Sequence, residues 1–100
     1  MRMMLKVSIP AEVGNRAIKD GSLPKLMNSM MEQLHPEAAY FFPENGRRTT
    51  LMVFDMKDAS QIPSVAEPFF SGLDAEVTLI PVMNADDLKT GLASAAKTRG

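Results

Sequence analysis

Three side chains in the sequence could do acid–base chemistry together. Lys6 and Glu76 lie in segments that read as strands, and a lysine beside a carboxylate shifts the pKa of either group and supplies an acid or a base. Tyr40, the only tyrosine, is the third candidate. The alternative is that these residues satisfy one another across neighbouring strands as purely structural pairs.

Other residues of the predicted strands could line a binding pocket, because such pockets combine a largely apolar wall with a few convergent polar groups. The alternation of strand residues suggests an apolar wall of Met4, Met52 and Phe54. Methionine adapts to irregular ligands, although nine methionines in 100 residues are also explained by flexible filling of a core. The predicted ligand-binding residues are Met4, Ser8, Thr50, Met52, Phe54 and Thr78.

His35 is a weaker catalytic candidate. It is the only side chain whose ordinary pKa lies near neutrality. However, it precedes Pro36 at a predicted helix end, where the helix dipole favours its positive charge, so a capping or surface role is the preferred interpretation. With one His and no Cys, the sequence predicts no metal site, no thiol nucleophile and no cofactor.

Composition and charge argue against some classes of binding partner. Eleven basic against twelve acidic residues give a net charge of −1, and only Arg47 and Arg48 cluster, so no nucleic-acid partner is expected. After the Asn45-Gly46 turn, these arginines could hold an anion, but the simpler interpretation is that they are solvated or paired with a nearby acid such as Glu44. No apolar run approaches the ~20 residues that span a bilayer and the start lacks a signal-peptide core, so we expect a cytoplasmic location without membrane contact.

Hydrophobic periodicity predicts the elements that must position these residues. Strands are expected at Met3–Ile9, Ala38–Phe42, Thr49–Phe54 and Ala75–Met83. Helices are expected from Ala11 to His35 with a break at Gly21, after Asp58, and after Asn84. The order β-α-β-β-α-β with one appended helix predicts an α+β, ferredoxin-like antiparallel sheet, in a single domain that covers residues 1–100.

The predicted sheet carries apolar residues on both faces. Leu5, Val7 and Ile9 suit the face under the helices, together with Val77 and Leu79. The opposite face would carry Met4, Met52, Phe54, Ile80 and one aromatic residue of the second strand. Because a solvated sheet face normally alternates to polar residues, this patch predicts a homodimer with the two open faces packed together. The alternative is a monomer covered by its last helix.

The chain resembles the dimeric α/β-barrel superfamily, and within it a small bacterial branch rather than a named enzyme branch. The resemblance rests on the element order, the apolar second face and the closing segment from Val77 to Leu88. It implies a homodimeric barrel but carries no catalytic motif, and a shared fold does not transfer a reaction.

The first functional hypothesis is a non-catalytic homodimer that binds a small, apolar molecule or takes part in an interaction. The alternative is a cofactor-independent enzyme acting on an apolar aromatic or polyketide-like substrate in the barrel pocket. The reactions implied by the resemblance are monooxygenation, isomerisation or cyclisation.

Overall fold

The computed structural model describes residues 1–98. This part of the chain is α+β, with a four-stranded antiparallel sheet and four α-helices. The strands are β1 (Arg2–Ile9), β2 (Ala38–Glu44), β3 (Arg47–Asp55) and β4 (Glu76–Pro81). The helices are α1 (Ala11–Lys19), α2 (Ser22–Leu34), α3 (Ile62–Leu73), which follows a 3-10 turn at Ala59–Gln61, and α4 (Ala85–Thr98). The sheet order is β2-β3-β1-β4, and each neighbouring pair is antiparallel.

The predicted break at Gly21 divides the first helical region into α1 and α2. Gly21 has φ +81°, a left-handed conformation that glycine adopts without steric cost. The backbone N–H of Ser22 donates to Asp20 Oδ1 at 2.8 Å, which satisfies one of the free donors at the start of α2. The chain can therefore turn between two helices that pack on each other.

The hairpin between β2 and β3 is longer than predicted. Asn45 and Gly46 both have positive φ, as a tight two-residue hairpin turn requires. Strand β2 continues through Pro43 to Glu44, and β3 begins at Arg47 rather than Thr49. Proline is tolerated there because β2 is an edge strand, so one side of its backbone needs no ladder donor.

The core lies between one face of the sheet and helices α1, α2 and α3. Leu5 and Val7 of β1 are fully buried in it, as are Met30 of α2 and Phe69 of α3. Val77 and Leu79 lie opposite Val7 and Leu5 in β4, so they belong to this face, as predicted.

The predicted face assignment of β3 is wrong. Met52 and Phe54 are 0% and 2% exposed in the core, opposite Leu5 and Met3, and Thr50 is buried opposite Val7. Both sets of alternate positions in β3 include apolar residues, so the alternation alone cannot show which set faces the helices. The pairing register decides it, and a shift by one residue reverses every side chain of a strand.

The opposite face of the sheet, called the open face here, is graded from apolar to polar. At one end a wholly apolar row crosses all four strands. In each of the next two rows, β2 contributes an aromatic residue, whereas β1 and β4 contribute polar or charged residues. In the order β2, β3, β1, β4 the rows are Ala38, Val53, Met4, Ile80; then Tyr40, Leu51, Lys6, Thr78; then Phe42, Thr49, Ser8, Glu76.

A candidate ligand site on the open sheet face

A cleft of about 400 Å³ lies at the polar end of the open face. Strands β1 and β4 supply hydrogen-bonding side chains to its floor, and the β2–β3 hairpin forms its wall. This cleft is lined by Lys6, Ser8, Glu44, Asn45, Arg47, Glu76 and Thr78. Four of these seven residues, Lys6, Ser8, Glu76 and Thr78, are ones that the sequence singled out.

The four charged residues of the cleft form two ion pairs. Lys6 Nζ lies 2.6 Å from Glu44 Oε1, and Arg47 Nη1 lies 3.5 Å from Glu76 Oε1. The predicted pair between Lys6 and Glu76 is not formed, since each of the two charges has another partner. In the register Lys6 lies opposite Thr78, and Glu76 lies opposite Ser8. The four side chains keep about a third or more of their surface in solvent, so each ion pair contributes little stability.

The apolar wall that the sequence predicted does not surround this cleft. Met52 and Phe54 belong to the core, and Met4 lies on the open face within the apolar row, opposite Val53 and Ile80. Thr50 is also a core residue, and its hydroxyl donates to the backbone carbonyl of Tyr40 at 3.2 Å. The cleft is therefore polar.

Tyr40 lies on the open face but does not line the cleft. It is 64% exposed on the edge strand β2, and Leu51 of β3 lies between it and Lys6 in the same row. This geometry does not bring the three predicted acid–base residues together.

His35 ends α2 and is remote from the residues that line the cleft. It is exposed and adopts a left-handed conformation with φ 45° and ψ 58°, and its backbone N–H donates to Met31 O at 3.1 Å. This is the geometry of a helix C-terminus.

Glu44, Asn45 and Arg47 line the cleft although they were not among the predicted ligand-binding residues. Arg47 was considered as an anion-binding residue, with Glu44 as one partner, but its ion pair is with Glu76. A two-residue hairpin places its flanking residues opposite each other, and here Glu44 lies opposite Arg47 in the strand register. The three residues were not assigned to the site because β2 was expected to end at Phe42 and β3 to begin at Thr49.

A second cleft, of about 530 Å³, lies at the opposite end of the sheet, where α4 begins. Its lining residues are Met1, Arg2, Pro81, Val82, Met83 and Asp87. Arg2 Nε donates to Glu37 Oε1 at 2.6 Å, and Arg2 Nη1 donates to Asp87 Oδ2 at 3.3 Å. The hydrogen bond to Glu37 and its negative charge raise the pKa of Arg2, with a smaller contribution from Asp87.

Within residues 1–98, no three His, Cys, Asp or Glu side chains are grouped so that they could hold a metal ion. None of the helices in this part of the chain has the length and apolar character to cross a membrane. A comparison with protein-family models finds no match for the chain, and a search of curated protein sequences also finds none.

Proposed function

We propose that the protein is a cytoplasmic homodimer of ferredoxin-like protomers that binds a small polar molecule without transforming it. The observation that supports this proposal is the composition of the open face, where an apolar row lies beside a polar cleft. One part of the face can hold a second copy, and the other can hold a ligand.

The element order and the sheet order support the ferredoxin-like protomer. In that architecture two β-α-β units interleave their strands, and the helices lie on one face of the sheet. Here α1 and α2 together connect β1 to β2, α3 connects β3 to β4, and β1 lies between β3 and β4. Membership of the dimeric α/β-barrel superfamily is part of the same proposal.

The apolar row supports a homodimer through the open face. Ala38, Val53, Met4 and Ile80 form an uninterrupted apolar strip across the sheet, and Ile80 is substantially exposed. A monomer that left this strip in water would forgo about 25 cal/mol for each Å² of apolar surface that a partner could bury. A two-fold axis would cover both copies of the strip at once.

The lining of the cleft indicates the chemistry of the ligand. Lys6 and Arg47 offer cationic donors, Glu44 and Glu76 offer carboxylate acceptors, and Ser8 and Thr78 offer hydroxyl groups. A molecule with both an anionic and a cationic group could replace one partner in each ion pair. The exchange would cost little because exposed ion pairs contribute about 0–1 kcal/mol. The ligand that fits is therefore polar rather than apolar.

Native mass spectrometry of freshly purified protein tests both parts. We expect a dimer for the natural chain and a monomer for Val53→Lys, which places a charge in the apolar strip. Val53→Thr, which nearly preserves side-chain shape, is the control and should leave most of the dimer intact. A natural chain that is monomeric at micromolar concentration contradicts the proposed dimer.

The same spectra test the cleft. A dimer that carries an added small mass is expected, and Arg47→Ala should lose that mass. Lys57→Ala changes an exposed cation outside the cleft and should retain it. Retention of the added mass by Arg47→Ala would exclude the cleft as the site.

A cofactor-independent enzyme is the second candidate, and one observation favours it. Lys6 and Glu76, an acid–base couple by type, line the same cleft, next to an apolar strip that a second copy would enclose. Such an enzyme would be a monooxygenase, isomerase or cyclase that accepts an aromatic or polyketide-like substrate. If a turnover is found, Glu76→Gln should abolish it while the dimer persists.

A further inference from the structure

Helix α4 is a formed element that buries none of its residues. All of residues 85–98 are exposed, including Leu88 and Leu92. The radius of gyration is 16.2 Å, whereas a compact chain of this length has about 13 Å. The chain extends over 58 × 28 × 19 Å, and the 14 residues of α4 account for about 21 Å of helix length. The helix therefore projects from the body of the protein.

The start of α4 is fixed to the body. The backbone N–H of Asp87 donates to Asn84 Oδ1 at 2.8 Å, and the backbone N–H of Asn84 donates to Asp87 Oδ2 at 3.1 Å. The same Asp87 carboxylate accepts from Arg2 at 3.3 Å, and the N–H of Val82 donates to Arg2 O at 3.0 Å. Arg2 therefore links the segment before α4 and the first turn of α4 to β1.

The start of α4 lies on the open side of the sheet. Arg2 alternates with the core residue Met3, so its side chain points to the open side of the sheet, where it meets Asp87. The helix thus leaves the body beside the apolar row, on the side where a second copy would sit.

An apolar stripe runs along α4 without a partner. Leu88, Leu92 and Ala95 follow at i, i+4 and i+7, the spacing of one helical face. An isolated helix of fewer than about 15 residues is marginal in water, so this one needs packing against its stripe. Its charged groups, Asp86 and Asp87 against Lys89 and Lys97, sum to zero, unlike the Lys- and Arg-rich polar face of a membrane-surface helix.

The footprint of α4 is large relative to that of the open face. Four strands of about seven residues outline a flat area of about 440 Å². The footprint of α4, about 21 × 10 Å, would raise the total to about 650 Å². The cleft at its base, lined by Met83 and Val82 among others, offers further apolar surface.

We propose that α4 is an exchanged arm, which packs the stripe of Leu88, Leu92 and Ala95 against a second copy of the chain. This inference rests on the proposed homodimer and adds a second, reciprocal contact to it. Each protomer would supply one arm and receive one.

Photo-cross-linking tests the arm directly. The photoreactive amino acid p-benzoylphenylalanine is placed at Leu92 in one sample and, as the matched control, at Ser94, about 200° around the helix. Chains labelled with ¹⁴N and ¹⁵N are incubated together and irradiated. Cross-links between a heavy and a light chain are expected from position 92 and not from position 94. Cross-links confined to one chain, or equal yields from both positions, overturn the proposal.

Substitution of the stripe gives an independent readout. Leu88→Ser combined with Leu92→Ser should raise the dimer dissociation constant tenfold or more. The control, Thr90→Ser combined with Ala93→Ser, changes the other side of the helix and should alter it less than threefold. An unchanged constant for the stripe variant excludes the arm.

The two proposals can fail separately. If Val53→Lys dissociates the dimer but position 92 gives no cross-link between chains, the open-face interface stands and the exchanged arm is excluded. If Val53→Lys leaves the dimer intact and position 92 gives cross-links between chains, the exchanged arm stands and the open-face interface is excluded.

Discussion

At the scale of single residues, Asp58 shows how one carboxylate starts a structural element. Its Oδ1 accepts from the backbone N–H of Ser60 at 2.8 Å, and Gln61 Oε1 accepts from the backbone N–H of Asp58 at 3.1 Å. This reciprocal capping box begins the 3-10 turn that leads into α3. The hydrogen bond from the Ser60 backbone, and then that from its hydroxyl, lower the pKa of Asp58.

The lowered pKa of Asp58 predicts a pH dependence of stability. Because the folded pKa lies below the unfolded value of about 3.9, the ionised carboxylate contributes its full stability above that value. This contribution is lost as the pH falls through the folded pKa. Asp58→Ala should therefore reduce the free energy of unfolding at pH 7 and have less effect near pH 2.5, as measured by urea denaturation. Asp58→Asn keeps a capping oxygen and should be the milder change at pH 7. Equal losses for Asp58→Ala at both pH values would contradict this account.

His35 carries a second prediction at this scale. Its left-handed conformation costs a residue with a Cβ about 1–2 kcal/mol, and glycine avoids that cost. We expect His35→Gly to raise the free energy of unfolding by about 1 kcal/mol, measured by chemical denaturation. A loss of ligand binding in this variant would instead support the functional role that the sequence left open.

At the scale of elements, the two faces of β3 separate the side chains that build the core from those that lie on the open face. Met52 is fully buried, whereas its neighbour Val53 lies on the open face. We expect Met52→Ala to cost about 2–5 kcal/mol of stability, because it leaves a cavity among Leu5 and its neighbours. Val53→Ala should cost clearly less in a thermal unfolding experiment on dilute, monomeric protein. The reverse order would mean that β3 pairs in the other register.

At the scale of the whole molecule, an interface that forms only in the folded state couples stability to concentration. The midpoint of thermal unfolding of the natural chain should rise by several degrees between protein concentrations of about 1 and 100 µM. This follows because folded chains dimerise and unfolded chains do not. Val53→Lys should unfold at a midpoint that does not change with concentration. Differential scanning fluorimetry over this range checks both, and a constant midpoint for the natural chain would contradict the dimer.

Patterns that act over a few neighbouring residues account for the secondary structure. Alternation in β1, the helical stripe around Phe69 and the Asn45-Gly46 turn act over a few residues, so the α+β class, the four strands and the helix break at Gly21 could be predicted. The sequence also placed Lys6, Ser8, Glu76 and Thr78 on one face of the sheet, since β1 and β4 differ clearly between their two faces; in the structure these four residues line the cleft.

Strand register and ion-pair partners could not be predicted in this way, because they depend on residues that are distant in the chain. Register placed Thr50, Met52 and Phe54 in the core, although both parities of β3 are apolar. Three-dimensional packing also paired Lys6 with Glu44 and Glu76 with Arg47, and it left α4 exposed. The periodic stripe of α4 predicts that the helix packs on another surface, and the fold shows that no surface within residues 1–98 covers it.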